Sequence, residues 1–286
     1  MAKRIWLTVT ALVVVGLVFG AITIFGWTVG ETHFDRPDES FDRLTKQIED
    51  LPGVSVDEKE RWVEAPTFTD PSSWVGLTVD EANLPGLLDI ACTIDYPGSV
   101  SWSLRIRADG GNAVTVHSET APGGGSNGPR CFDFGFDAVG LVDAVGSLTP
   151  GLDLQPTIWN DDQFALVVLD DPSEGLDALL PLVAHADELR EAAGLDSTRS
   201  VEINSMHLGV IIEPHEHDRY LALLTELAEE HHVASFSADS AENQTDGVAK
   251  VQISAPDREH TAIEEDIRAS GLRIADLPVR FLPSDS

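Results

Sequence analysis

Apolar residues recur at spacings of three and four over 40–50, 86–95, 132–147, 174–193, 216–232 and 258–269, the pattern of amphipathic helices. Between these stretches the period falls to two or the residues run apolar without a break, and strands are predicted there in pairs. The pair 99–107 and 112–117 flanks Asp109 and Gly110, a tight-hairpin signal, and 154–159 with 164–169 flanks the polar turn 160–163. A third close pair is 201–204 with 207–212. Further strands are expected at 54–63, 248–253 and 272–281.

Prolines punctuate this alternation with a period. Pro85, Pro129, Pro172, Pro214 and Pro256 are spaced by 44, 43, 42 and 42 residues, each ahead of a helical pattern, where a residue without an amide hydrogen costs nothing. Glycines close the other end, with Gly53, Gly98, Gly151, Gly194 and Gly271 each following a helical pattern, as helix caps do. The unit is a helix followed by two strands, repeated at about 43 residues. Two units in succession give strand, helix, strand, strand, helix, strand, the order of the ferredoxin-like split unit. The expected fold class is therefore α+β, with tandem ferredoxin-like modules behind an N-terminal transmembrane helix.

Loop lengths set the phase. The expected organisation is a cytoplasmic tip and transmembrane anchor at 1–30, a juxtamembrane helix–strand segment at 31–70 and ferredoxin-like modules at 71–160 and 161–240. A strand–helix–strand piece at 241–286 would then complete a split third module. The competing phase places modules at 31–110, 111–204 and 205–283.

Residues 5–29, from Ile5 and Trp6 to Trp27 and Val29, carry no charge over 25 positions. As a helix they would extend roughly 37 Å, more than a hydrocarbon core of about 30 Å. Trp6 and Trp27 would sit roughly 31 Å apart, one in each interfacial belt. A cleaved signal peptide is the rival reading, but the run is long for one and no Ala-x-Ala site closes it. Arg36, Arg43 and Lys46 follow the span closely and blur the orientation. Keeping Lys3, Arg4 and the α-amino group on the cytoplasmic side places the body outside the membrane.

The 286-residue chain carries 49 acidic against 18 basic residues, a formal charge of −31, and its acidic residues all lie beyond residue 30. Such a field repels phosphate backbones and excludes nucleic acid as an expected partner. With 42% hydrophobic residues the body is a folded one and not an acidic tail. Cys92 and Cys131 are the only cysteines; outside the cell they can pair, with two buried thiols as the alternative. In the ferredoxin-like arrangement the end of one helix, with Cys92, meets the start of the next, with Cys131.

The candidate chemistry is sparse. Glu213, His215, Glu216, His217 and Asp218 form the best polar cluster, but on a helix positions two apart point about 200° from each other, so His215 and His217 cannot share an ion there. His231 and His232 close the same helix, roughly 20 Å from His217. Asp161 with Asp162 and Asp170 with Asp171 lie roughly 23 Å apart across a strand, too far for one calcium ion. Gly124, Gly125, Ser126, Asn127 and Gly128 match the letters of a nucleophile elbow without the strand-to-helix turn that motif needs. No catalytic, metal or cofactor residue is assigned and no cofactor is expected. The reading is a membrane-anchored extracytoplasmic protein that binds a protein partner outside the bilayer and does not catalyse. The alternatives are an extracytoplasmic enzyme with a site assembled from several modules and a divalent-ion-binding envelope protein.

Overall fold

Asp38 is extended, and its carboxylate accepts from the amides of Ser40 and Phe41 and from the Ser40 hydroxyl, so the chain turns into a helix at that point. These bonds, the Ser40 side chain first, hold the Asp38 carboxyl below its ordinary range. The computed structural model describes residues 33–64, 70–93, 96–120, 131–159, 163–169, 175–239 and 247–283. Its helices are α1 (Glu39–Glu49), α2 (Leu84–Ala91), α3 (Ala138–Gly146), α4 (Leu180–Ala184), α5 (Ala186–Ala192), α6 (His217–Glu229) and α7 (His260–Ala269). Its first six strands are β1 (His33–Asp35), β2 (Val54–Glu64), β3 (Ser72–Asp80), β4 (Val100–Arg107), β5 (Ala113–Thr120) and β6 (Asp153–Ile158). The others are β7 (Phe164–Val168), β8 (Val201–Asn204), β9 (Leu208–Ile212), β10 (Ser235–Asp239), β11 (Lys250–Ser254) and β12 (Val279–Leu282).

All twelve strands lie side by side in chain order in one mixed sheet. Hairpins alternate with helical crossovers. β4–β5, β6–β7, β8–β9 and β10–β11 are antiparallel, whereas β3–β4, β5–β6, β7–β8, β9–β10 and β11–β12 are parallel.

This corrects the expected tandem ferredoxin-like modules. In a split unit the crossover from one strand skips a position that a later strand fills. Here each crossover lands on the adjacent position, so that Leu77 of β3 sits beside Leu104 of β4 and Leu166 of β7 beside Ile203 of β8. No gap is left for insertion, and the sheet continues unbroken. Among the described residues no helix is long and apolar enough to cross a membrane. The expected span, with Ile5, Trp6, Trp27 and Val29, lies outside the described residues, as do the paired aspartates and the glycine-rich stretch with Ser126.

Alternation along each strand gives the sheet two different faces. The registers carry Val79, Ile106, Val114, Leu154 and Val168 across one face, and these join Leu87, Leu141, Leu182, Leu224 and Ile263 of the helices in a single core. The opposite face presents Thr78, Arg105, Thr115, Gln155, Asn204 and Ser237, a polar surface. Both edge strands are short, which limits the backbone exposed for pairing with another chain.

Individual elements also depart from the sequence pattern. The predicted helix 174–193 breaks at His185 into α4 and α5 after a 3-10 turn. α3 starts only at Ala138; before it Phe132, Phe134 and Phe136 lie in an irregular segment and form a chain of ring contacts from Trp102 to Phe164. At 272–281 a 3-10 turn, Arg273–Asp276, precedes the short β12. Pro85 and Pro181 sit in the first turns of α2 and α4, but Pro214 lies upstream of α6. Gly53, Gly151, Gly194 and Gly271 take the left-handed conformation expected of helix caps, whereas Gly98 does not.

Cys92, which caps α2, is disulfide-bonded to Cys131. α2 and α3 connect strand pairs of opposite direction, so they run antiparallel. The end of one helix therefore meets the approach to the next even though the sheet order is not ferredoxin-like.

Candidate functional site

The polar cluster at the β9–α6 junction is taken apart by the fold. Glu213 follows β9 and receives Arg273 Nη1 at 2.9 Å, while Arg273 Nη2 donates to the Ile211 carbonyl at 3.4 Å. Glu216 ends the turn, where Arg219 Nη2 donates to it at 2.7 Å and Arg219 Nη1 donates to the Gly271 carbonyl at 2.7 Å. Two arginines thus tie the segment after α7 to the start of α6. His215 adopts a φ of +66°, a left-handed conformation unusual for a side chain of its size.

His217 points elsewhere, with Nδ1 2.8 Å from Asp187 Oδ2 and Nε2 3.3 Å from Asp218 Oδ1. Asp187 also accepts from Arg190 Nη1 at 2.6 Å. Burial opposes the charge on Asp187, but the Arg190 hydrogen bond and charge, with the His217 ring, outweigh it and hold the carboxyl below its ordinary range. His215 and His217 therefore belong to different surroundings. Among the described residues no group of three His, Cys, Asp or Glu side chains is placed to hold a metal ion. At the other end of α6, His231 lies between Glu259 (Nδ1, 3.1 Å) and Asp266 (Nε2, 2.8 Å) and links α6 to α7.

What the structure builds at this end of the sheet is a groove of about 520 Å3. One wall is Gln163, at the start of β7; a second is the loop carrying Asp196, Thr198, Arg199 and Ser200 that leads into β8. Ile211 of β9 and Glu213 just after it, with Arg273, complete it. The loop is held in place. Asp196 accepts from the Thr198 amide at 2.8 Å and its hydroxyl at 2.7 Å, and these bonds, the side chain first, keep the Asp196 carboxyl below its ordinary range. Arg190, only 5% exposed, donates from beneath to the Arg199 carbonyl at 3.3 Å. Behind Glu213 and Glu216 stands Tyr220, fully buried, with a hydroxyl that has no hydrogen bond of good geometry. Burial pushes its pKa up, against the pull of the Arg273 charge.

Trp159 follows β6, is 42% exposed and lies beside Gln163 of the groove. Its amide donates to the Gln163 carbonyl at 2.9 Å, and its indole Nε1 donates to Glu202 Oε2 at 2.8 Å, across β7. Glu202 is the cross-strand partner of Ile211, so the indole is bonded to the neighbour of a groove residue.

Glu213 is the member of the sequence cluster that the groove uses. Arg199, Arg273, Gln163 and Trp159 carry no motif that would single them out, and Arg273 reaches Glu213 from 60 residues away. The available signal was scarcity, since a basic residue in so acidic a chain is uncommon.

No protein family model matches this chain, and no curated protein matches it. Among solved structures, a crystal structure of the sex pheromone staph-cAM373 precursor is similar over 63% of this chain and 79% of that chain, at 11% identity and a TM-score of 0.23. A likeness that distant carries no argument for fold or function.

Proposed function

We propose that this protein is a single-pass, membrane-anchored extracytoplasmic protein whose body is a non-catalytic binding module. The uncharged run at 5–29 supports the anchor, and the Cys92–Cys131 disulfide supports an oxidising compartment for the body. The observation that carries the binding reading is the groove beside β9, whose carboxylates are already engaged by neighbours. Glu213 is paired with Arg273, and Asp196 is held as a carboxylate by Thr198. Groups of this kind present fixed donors and acceptors to a ligand.

Two measurements test the two halves. Protease added to intact cells should remove a tag fused to the C-terminus; cleavage only after permeabilisation would overturn the placement. Hydrogen exchange of the anchored protein should be slower at 196–200 and 211–213 in its native membrane than after purification in detergent. Equal exchange in both settings would overturn occupancy of the groove.

A further inference from the structure

Resting on that binding reading, we propose that the groove, with Trp159 beside it, binds a neutral saccharide chain. The argument begins with charge. The body carries a large negative excess, which disfavours polyanions, yet the groove balances two arginines, Arg199 and Arg273, against two carboxylates, Asp196 and Glu213. A site with no net charge that is crowded with donors and acceptors is matched by a ligand that is uncharged and rich in groups able to act as both. Hydroxyls have that property.

Geometry narrows the class. Gln163, Arg199, Arg273, Asp196 and Glu213 end in flat groups with two donor or acceptor atoms side by side, the spacing that neighbouring hydroxyls on a sugar ring present. Thr198 and Ser200 add hydroxyls to the same wall.

Trp159 supplies what the polar wall lacks. A sugar ring has an apolar face of C–H groups that requires a flat hydrophobic partner. Trp159 is 42% exposed, and its one polar atom is already used on Glu202 at 2.8 Å, so the indole is fixed in orientation while its ring remains an apolar surface. The backbone bond to Gln163 anchors the same residue to the groove wall. At about 520 Å3 the groove lies in the range of small-ligand sites, and its open form suits part of a longer chain.

The test uses the full chain in detergent or nanodiscs, titrated by calorimetry with neutral tetrasaccharides of glucose, mannose, galactose and N-acetylglucosamine. Binding of at least one, weakened about tenfold or more by Trp159→Ala and by Arg199→Gln but unchanged by Lys46→Gln on distant α1, is the expected result. Unchanged melting temperatures of the variants establish that folding is not the cause. Binding that ignores both groove variants, or no binding across the set, overturns the saccharide. Binding of uncharged tetrapeptides with the same dependence on Trp159 and Arg199 overturns it too, while leaving the binding module standing. Loss of the native-membrane hydrogen-exchange protection at 196–200 is the separate result that would remove the binding module itself.

Discussion

Asn112 binds both sides of the corner where Val145 ends its helix: its Nδ2 donates to the Val145 carbonyl at 2.8 Å, and its Oδ1 accepts from the Leu152 amide at 2.9 Å. The residue is 2% exposed. One side chain therefore joins the β4–β5 hairpin, the end of α3 and the approach to β6. Asn112→Ala would leave a buried carbonyl and a buried amide without partners, and it should cost about 3 kcal/mol. A denaturant titration with unchanged slope and a lower midpoint is the expected result.

The Cys92–Cys131 bond closes a loop with a sequence separation of 39. Removing that constraint frees the unfolded chain, and Cys92→Ser with Cys131→Ser should lower stability by about 4 kcal/mol on the loop-entropy account. Reductant added to the wild-type protein should lower its melting temperature in the same way and leave that of the double variant where it was.

His231 gives stability a pH dependence. Burial opposes its charge, but hydrogen bonds to Glu259 and Asp266, with their negative charges, win and raise its pKa above the ordinary 6.5. A raised pKa means the folded state holds the proton more tightly. That contribution is complete below about pH 6.5 and is lost as pH rises through the folded value. Glu259, lowered from 4.5 first by the His231 hydrogen bond, behaves oppositely, contributing above that value and losing its effect in acid. The link between α6 and α7 is strongest between the two values. His231→Gln should therefore be less stable than wild type near pH 6, and the gap should shrink as the pH is taken to about 9. Melting curves that differ by the same amount at every pH would rule this out.

Tyr220 invites the opposite kind of substitution. Its hydroxyl is buried and lacks a hydrogen bond of good geometry, so the folded state gains little from it. Tyr220→Phe should change stability by no more than about 1 kcal/mol, with stabilisation the expected sign. A loss larger than that by chemical denaturation would mean that the hydroxyl is well bonded to Arg273.

The local alphabet of this fold was legible in the sequence. The turn at Asp109 and Gly110 separates β4 from β5, the pair 201–204 and 207–212 became β8 and β9, and Gly194 and Gly271 cap their helices in the left-handed conformation. Strand order was not legible. Amphipathic period and proline placement dictate where a helix lies, but not whether its crossover ends one or two strand positions away; that depends on how Leu77 and Leu104, both fully internal, come to share a register. The short strand β1, the break at His185 and the chain of phenylalanine contacts before α3 also escaped, because each is decided by tertiary packing. The groove escaped for a related reason. Its arginines and its tryptophan come from separate connections, and only the sheet brings Trp159, Arg199, Glu213 and Arg273 to one end.

Strands laid down in chain order also bear on how the protein is made. Each strand pairs with the one synthesised just before it, so the growing chain finds the template for every new strand already folded and waiting. Arg273 departs from this local rule by closing onto Glu213 across 60 residues, as Arg219 does by donating to the Gly271 carbonyl. The sheet can accumulate hairpin by hairpin, but the groove is finished only when the segment after α7 has folded back onto the end of β9. A chain lacking the segment after α7 would carry a nearly whole sheet with an open, incomplete groove wall.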